Sequence, residues 1–184
     1  MLVIKIDASE FFDEKKSEFI NYPEYILHME HSLVSISKWE AEWEKPFLVK
    51  DAERSHEEMI SYIKYMTFEQ NIPDVIFDNL SRENKIKINN YIEKQMTATW
   101  FRKEENPPKS KEIVTSELIY YWMIELNIPV EFQKWHINRL LTLIKVCNEK
   151  HKEASGDKKM TKAQMAAKYQ ELNMKRRAKT KSKG

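Results

Sequence analysis

Glycine is almost absent from this sequence, whose 184 residues include Gly156 and Gly184 and no other. Phosphate-binding loops of the P-loop and dinucleotide-binding kinds need several glycines, because only glycine lets the backbone turn tightly and approach the phosphates. The part of the chain before Gly156 therefore excludes such loops. The same shortage disfavours an all-β fold, whose many tight turns depend on glycine.

Cysteine and long apolar runs are scarce as well. Cys147 is the single cysteine, so no disulfide forms within the chain, and its apolar helical surroundings favour a buried, inert thiol. No apolar run approaches the roughly 20 residues that span a bilayer. The N-terminus lacks the basic start and long apolar run of a signal peptide. We therefore expect a protein of the reducing cytosol that does not enter a membrane.

Charge is abundant but unevenly distributed. Lys, Arg, Asp and Glu make up 33% of the residues, yet the net charge is only +2. Residues 158–184 contain ten Lys and Arg residues and one acidic residue, Glu171, so this segment carries +9 and the rest of the chain −7. The sequence thus predicts an acidic domain followed by a basic arm.

The strongest helical pattern spans residues 110–148 and predicts two helices joined by a short break. Ser110 is the predicted N-cap of the first helix. The apolar residues between Ile113 and Leu126 occupy most of that helix's circumference, which is typical of a helix buried on several sides. Pro129 ends it, because the residue before a proline avoids the helical conformation.

The second helix of this pair carries Phe132 and Trp135 in its first turns. Because the connection is so short, the two helices are predicted to lie antiparallel, and we expect the pair at the centre of the fold. After Cys147 the apolar period fades, and the stretch from Lys150 to Lys159 is predicted to be a hinge.

Shorter patterns complete the domain. Residues 2–6 and 25–27 are predicted strands that pair as a small N-terminal β-hairpin. Three serines each precede a stretch in which apolar residues recur at helical spacing, and a helix capped by the serine is predicted after each of them. The three serines are Ser32, Ser55 and Ser81. The fold class is therefore mainly α, with a helical domain over residues 1–152. Residues 153–184 form the basic arm, predicted as one helix after Thr161 and then a disordered tail.

Histidine offers two candidate sites. His28 and His31 have a spacing that metal ligands on a helix can use, but no third His or Cys lies near them in sequence, so a surface or helix-entry pair is the alternative. His136 would need an organised partner to act in acid–base catalysis, and the spacing identifies none. We expect no metal, no cofactor and no enzymatic activity.

Tryptophan is frequent for a chain of this size. Trp39 and Trp43, flanked by glutamates, form a narrow apolar stripe that can receive an amphipathic partner helix. Alternatively both pack into the core, as aromatic residues at this spacing usually do. The aromatic residues predicted to bind a partner are Trp39, Trp43, Phe47, Trp100 and Trp135.

The basic arm also has several interpretations. Its positive charge can bind nucleic acid through counterion release, stay solvated, or pair with the acidic domain of a neighbouring copy. Base stacking has little support, because Tyr169 is the single aromatic residue in the segment. The residues predicted to act in the arm are Lys175, Arg176, Arg177, Lys179 and Lys181.

Several stretches of the sequence resemble a group of bacteriophage proteins known as tail assembly chaperones. The resemblance covers about residues 28–148. The stretches that carry it are HSLVSISKWE at 31–40, KPFL at 45–48, MTATWF at 96–101, IYYWM at 119–123 and QKWHINRLLTLI at 133–144.

This resemblance implies a helper protein in the assembly of long phage tails. Such a protein binds the long helical tape-measure protein, keeps it soluble and delivers it for polymerisation of the tail-tube protein. It would act in the host cytoplasm and be absent from the mature virion. The partners implied are the tape-measure or tail-tube protein, with a homo-oligomer as a further option. The alternative function is a nucleic-acid-binding or structural virion protein that uses the basic arm.

Overall fold

The computed structural model describes residues 1–13, 17–49, 52–101, 112–154, 169–171 and 173–174. It confirms a mainly α fold with a small N-terminal β-hairpin. The chain divides into two units, Met1–Lys145 and Val146–Gly184. The elements are the strands β1 (Leu2–Ile6), β2 (Ser9–Asp13), β3 (Glu18–Tyr22) and β4 (Tyr25–Met29), the helices α1 (Leu33–Trp43), α2 (His56–Met66), α3 (Asp74–Asp78), α4 (Arg82–Glu93) and α5 (Ser116–Glu125), a 3₁₀ helix (Val130–Lys134) and α6 (Ile137–Ala154).

The four strands form two antiparallel ladders of two strands each. β1 pairs with β4 as predicted, and β2 pairs with β3, which the sequence reasoning missed. The partner pairs have the same register in both ladders, from Ile6 opposite Tyr25 to Ser9 opposite Tyr22. Alternate residues of β1 and β4 face the core, so Ile4 and Leu27 are buried.

Helix α1 occupies the centre of the first unit. It packs against α2, α5 and the 3₁₀ helix. Its side chains Leu33, Ile36 and Trp39 are at most 1% exposed. The prediction that the pair within residues 110–148 forms the centre is therefore wrong, because α1 is the helix that several elements share.

The capping serines behave largely as predicted. The Ser32 hydroxyl accepts the backbone N–H of Ser35, and the Ser35 hydroxyl accepts that of Ser32. Ser55 forms the same reciprocal arrangement with Glu58 at the start of α2. Ser81 accepts the backbone N–H of Asn84 at the start of α4. Each cap satisfies backbone donors that the first helical turn leaves free.

The predicted boundaries of the 110–148 pair are wrong in two places. The first helix starts at Ser116, where Thr115 is the N-cap, and residues 112–115 are not helical. Ser110, the predicted cap, lies outside the described residues. Phe132 lies in the 3₁₀ helix, and α6 begins only at Ile137, because the Ile137 N–H donates to the His31 carbonyl at 2.7 Å. This tertiary bond sets the helix start.

The second unit contains the end of α6. The helix continues through Lys150 to Ala154, so the predicted hinge does not begin at Lys150. Within this part Lys150 pairs with Glu153 at 2.8 Å. Residues 169–171 and 173–174 are helical. Among the helices that the structure describes, none combines the length and apolar character that crossing a membrane requires.

The carboxylate of Glu40 connects α1 to α5. One oxygen accepts the Phe47 N–H and the other accepts the Ser116 N–H, both at 2.7 Å. Glu40 is only 7% exposed, and Ser116 is the first residue of α5. The bond therefore places a negative charge at the positive end of the α5 helix dipole.

Replacing Glu40 by alanine should destabilise the fold. Glu40→Ala leaves two buried N–H groups without an acceptor, which should cost about 3 kcal/mol of unfolding free energy, measured by urea denaturation. Glu93→Ala, which removes an exposed carboxylate at the end of α4, should change it by less than about 0.5 kcal/mol. Equal effects of the two substitutions would contradict the structural role of Glu40.

Candidate functional site

The predicted tryptophan stripe on α1 is already covered by the same chain. Trp39 is 1% exposed, and its indole N–H donates to the Glu58 carbonyl of α2 at 2.8 Å. The Trp43 indole donates to the Ser61 hydroxyl at 3.0 Å. Phe47 is 5% exposed and packs edge-on against Trp39. Trp39 and Phe47 therefore belong to the core and cannot contact a partner in this conformation.

The other two predicted aromatic residues lie at the surface. Trp135 is half-buried, with the Phe132 ring stacked on it at 4.0 Å and the Arg139 guanidinium 3.9 Å from its centroid. Trp100 is 92% exposed. The structure thus does not gather the five predicted aromatic residues into one surface. The predicted arm residues, from Lys175 to Lys181, lie outside the described residues.

A cluster of titratable side chains is buried in the interior of the first unit. The rings of His31 and His136 meet edge to face, with centroids 5.0 Å apart, and each residue is 3% exposed. His31 Nδ1 and the Tyr62 hydroxyl share a hydrogen bond, and burial raises the pKa of Tyr62, so its hydroxyl remains protonated. Burial, with smaller contributions from His136 and Arg54, lowers the pKa of His31 to about 3. His31 is therefore neutral near pH 7.

His136 is held by backbone groups on both sides of its ring. Nε2 donates to the Tyr91 carbonyl at 3.0 Å, and Nδ1 accepts the Asn138 N–H at 3.3 Å. Burial lowers the pKa of His136, although the bond to the Tyr91 carbonyl opposes this shift. Both ring nitrogens are thus engaged inside the protein, and the imidazole has no exposed face for a substrate.

The carboxylate of Glu30 completes the cluster. It accepts the Tyr91 hydroxyl at 2.7 Å and pairs with the N-terminal ammonium of Met1 at 2.8 Å. Burial and the Glu30 carboxylate together raise the pKa of Tyr91. Together with the His136 bonds, these contacts tie β4 and α4 to the start of α6. The cluster therefore stabilises the domain interior.

The two histidines considered as a metal pair point to different partners. His28 binds Glu69 through Nδ1 at 2.6 Å, whereas His31 binds Tyr62 in the interior. Although partial burial opposes it, the His28 bonds lower the pKa of Glu69. In the part of the chain that the structure describes, no three His, Cys, Asp or Glu side chains are grouped so that they could hold a metal ion.

Two open grooves lie elsewhere on the first unit. One, of about 290 Å³, is bordered by Glu42, Ser61, Tyr65 and Asp78. The other, of about 250 Å³, lies between the residues that join β1 to β2 and the segment from α3 to α4. Neither contains His31 or His136, so the buried titratable groups and the open grooves are separate features.

The outer face of α5 exposes two large apolar side chains. Tyr121 is 56% exposed and Ile124 is 77% exposed, and they lie on the same side of the helix as Glu117. Glu125 borders them at the other end. We call these four residues the α5 surface. Ile113 and Val130, which precede and follow α5, are 60% and 58% exposed.

The opposite face of α5 is anchored in the core. Ile119 is fully buried and Met123 is 3% exposed. The Thr115 hydroxyl caps the first turn, and the Tyr120 hydroxyl donates to Gln133 at 2.9 Å. With the Glu40 bond to Ser116, these contacts fix the helix at its start and along its inner face. The α5 surface is therefore presented by a rigid element.

The charge of α5 is entirely negative. The helix contains Glu117 and Glu125 and no Lys or Arg. The backbone N–H of Glu117, together with the Thr115 hydroxyl, lowers the pKa of Glu117. The Tyr121 hydroxyl bonds to Glu125, which raises the pKa of Tyr121. Glu117 and Glu125 lie at the two ends of the apolar patch.

Other exposed apolar side chains lie on the β-hairpin. Phe12 and Phe19 face each other across β2 and β3 with centroids 5.1 Å apart and are 52% and 65% exposed. Val3, Ile26 and Phe68 lie on or beside β1 and β4 and are each more than half exposed. Neither set lies on a helix.

Sequence reasoning missed Tyr121 and Ile124 as surface residues, although their signal was present. The apolar residues of α5 extend around most of its circumference, which suggested burial on several sides. The same pattern also fits a helix with one core-facing side and one exposed apolar side. Separating the two requires knowing how many elements pack on α5, and this depends on tertiary structure.

Comparison with known proteins identified no relative. No family model, no curated protein and no solved structure matches this chain significantly.

The buried histidine cluster predicts acid sensitivity. In the unfolded chain His31 has the ordinary histidine pKa, near 6.5, and is protonated below that pH. In the folded protein its pKa is about 3, so it stays neutral over the same range. Stability should be unaffected by this group above pH 6.5 and fall below it, by about 2 kcal/mol between pH 7 and 5.

Urea denaturation at each pH measures this effect. His31→Asn keeps an oxygen that can accept the Tyr62 hydroxyl but removes the titrating ring. We expect the variant to show a shallower loss of unfolding free energy between pH 7 and 5. Identical pH slopes for the two proteins would mean that His31 does not contribute.

Proposed function

We propose that this protein is a non-catalytic tail assembly chaperone that binds the tape-measure protein and keeps it soluble before the tail tube forms. The proposal combines the sequence resemblance to phage tail assembly chaperones with one structural observation. That observation is the exposed apolar face of α5, whose other face is buried in the core. A helper that covers an apolar helix needs such a surface.

Helix docking on the α5 surface is physically reasonable. A long amphipathic helix that has not yet been enclosed exposes its apolar stripe and tends to aggregate. Burying Tyr121 and Ile124 against that stripe contributes about 1.5–3 kcal/mol for each side chain. Because α5 is already rigid, little conformational entropy is lost on its side of the complex.

The state of the buried titratable groups also favours a binding role. His31 and His136 are neutral and bonded to neighbouring protein groups, and Glu30 is paired with Tyr91 and the N-terminal ammonium. A general acid or base must reach the proton that it transfers. We infer that the protein acts in the host cytoplasm during assembly and leaves before the virion matures.

The decisive experiment is co-expression with tape-measure fragments. We expect at least one fragment to become soluble and to co-purify with the protein. Ile124→Asp places a charge within the apolar patch and should weaken the complex about 10- to 100-fold, measured by titration calorimetry. Ile86→Asp is the matched control, because Ile86 is a half-exposed isoleucine on α4.

Two outcomes would count against the proposal. If no tape-measure fragment gains solubility or co-purifies, the chaperone function is wrong. If a complex forms but Ile86→Asp weakens it as much as Ile124→Asp does, binding occurs elsewhere than at the α5 surface. Purified virions should contain no copies of the protein.

Nucleic-acid binding is the second candidate function, and the charge of residues 158–184 favours it. The test is a DNA shift assay across salt with the full-length protein and a variant in which Lys175, Arg176, Arg177, Lys179 and Lys181 become Gln. We expect weak binding that falls steeply with salt and is lost in the variant, while the tape-measure complex survives. Binding near nanomolar at about 0.15 M salt would instead favour the nucleic-acid function.

A further inference from the structure

The charges of α5 indicate what kind of helix the α5 surface accepts. Glu117 and Glu125 are separated by eight positions, about 12 Å along the helix axis, and the apolar pair Tyr121 and Ile124 lies between them. We propose that the occupant is an amphipathic helix whose apolar stripe is flanked by Lys or Arg residues about two helical turns apart. This inference rests on the proposed function and specifies the partner segment.

Helix α5 of a second copy of this chain does not fit the α5 surface. Two α5 helices packed antiparallel about Tyr121 would place Glu117 of one copy opposite Glu125 of the other. Packed in parallel, they would place each carboxylate opposite its own counterpart. Both arrangements bring like charges together across an apolar contact, and α5 contains no Lys or Arg to compensate them.

A stripe flanked by acidic residues is rejected for the same reason. A stripe flanked by neutral residues gains the apolar contact but leaves Glu117 and Glu125 partly desolvated without a counter-charge. A stripe flanked by Lys or Arg both covers Ile124 and pairs the two carboxylates. The surface therefore selects among the many amphipathic segments of a long helical partner by their flanking charge.

Charge reversal at α5 tests this inference. The binding of the co-purifying tape-measure fragment should be about five- to tenfold weaker for the double variant Glu117→Lys, Glu125→Lys than for the unchanged protein. The unchanged complex should also weaken as salt rises, and the variant complex should not. The milder double variant Glu117→Gln, Glu125→Gln should lose less binding affinity. It also controls for misfolding that a lysine at the start of α5 could cause.

The matched control is the double variant Glu57→Lys, Glu93→Lys. It makes the same change in net charge at exposed positions on α2 and α4 and should leave binding within about twofold. In the reciprocal test, the flanking Lys or Arg residues of the fragment are changed to Glu. This changed fragment should again bind the variant Glu117→Lys, Glu125→Lys.

The outcomes separate this inference from the function on which it rests. If the unchanged protein binds no fragment, the proposed function fails. If it binds a fragment through Ile124 but charge reversal at Glu117 and Glu125 has no more effect than the control, the function stands and the charge rule is overturned. Loss of binding with rescue by the reversed fragment supports both.

Discussion

The arrangement of this domain depends on the two hydrogen bonds that the buried carboxylate of Glu40 accepts. A carboxylate removed from water is costly unless strong hydrogen-bond donors replace the solvent. Here the N–H groups of Phe47 and Ser116 supply that compensation, and the second of them belongs to the positive end of α5. A side chain on α1 therefore holds the start of α5, the helix that presents Tyr121 and Ile124.

The interior and the surface divide the polar chemistry of the protein between them. Inside, His31, His136 and Glu30 are paired with hydroxyl, ammonium and backbone groups that fix the relative positions of helices and strands. Such networks specify one packing of the interior. Outside, Glu117 and Glu125 border the exposed apolar patch of Tyr121 and Ile124. The groups that we propose for partner recognition therefore lie on α5, whereas the buried histidines connect segments of the interior.

Much of the fold could be predicted, because local signals decide much of it. Ser32 and Ser55 predict the starts of their helices, because a serine hydroxyl accepts backbone N–H groups of the first helical turn. The short apolar stretches at 2–6 and 25–27 indicated the strands β1 and β4. By contrast, β2 and β3 were missed because their residues carry aromatic side chains on both faces, so the period of two is lost. Phe132 was assigned to the wrong helix, since the bond from Ile137 to His31 comes from a distant part of the chain.

The sequence alone determined that this protein is poor in glycine, is mainly α and has a basic C-terminal segment. It also determined that helices start after Ser32, Ser55 and Ser81. It further determined that α5 is apolar on most of its circumference, because periodicity is a local property. Only the tertiary structure decided which apolar side chains are core and which are surface. Trp39 is enclosed because α2 covers it, and Ile124 is exposed because no described element does. That distinction depends on contacts between segments far apart in sequence, which no local pattern encodes.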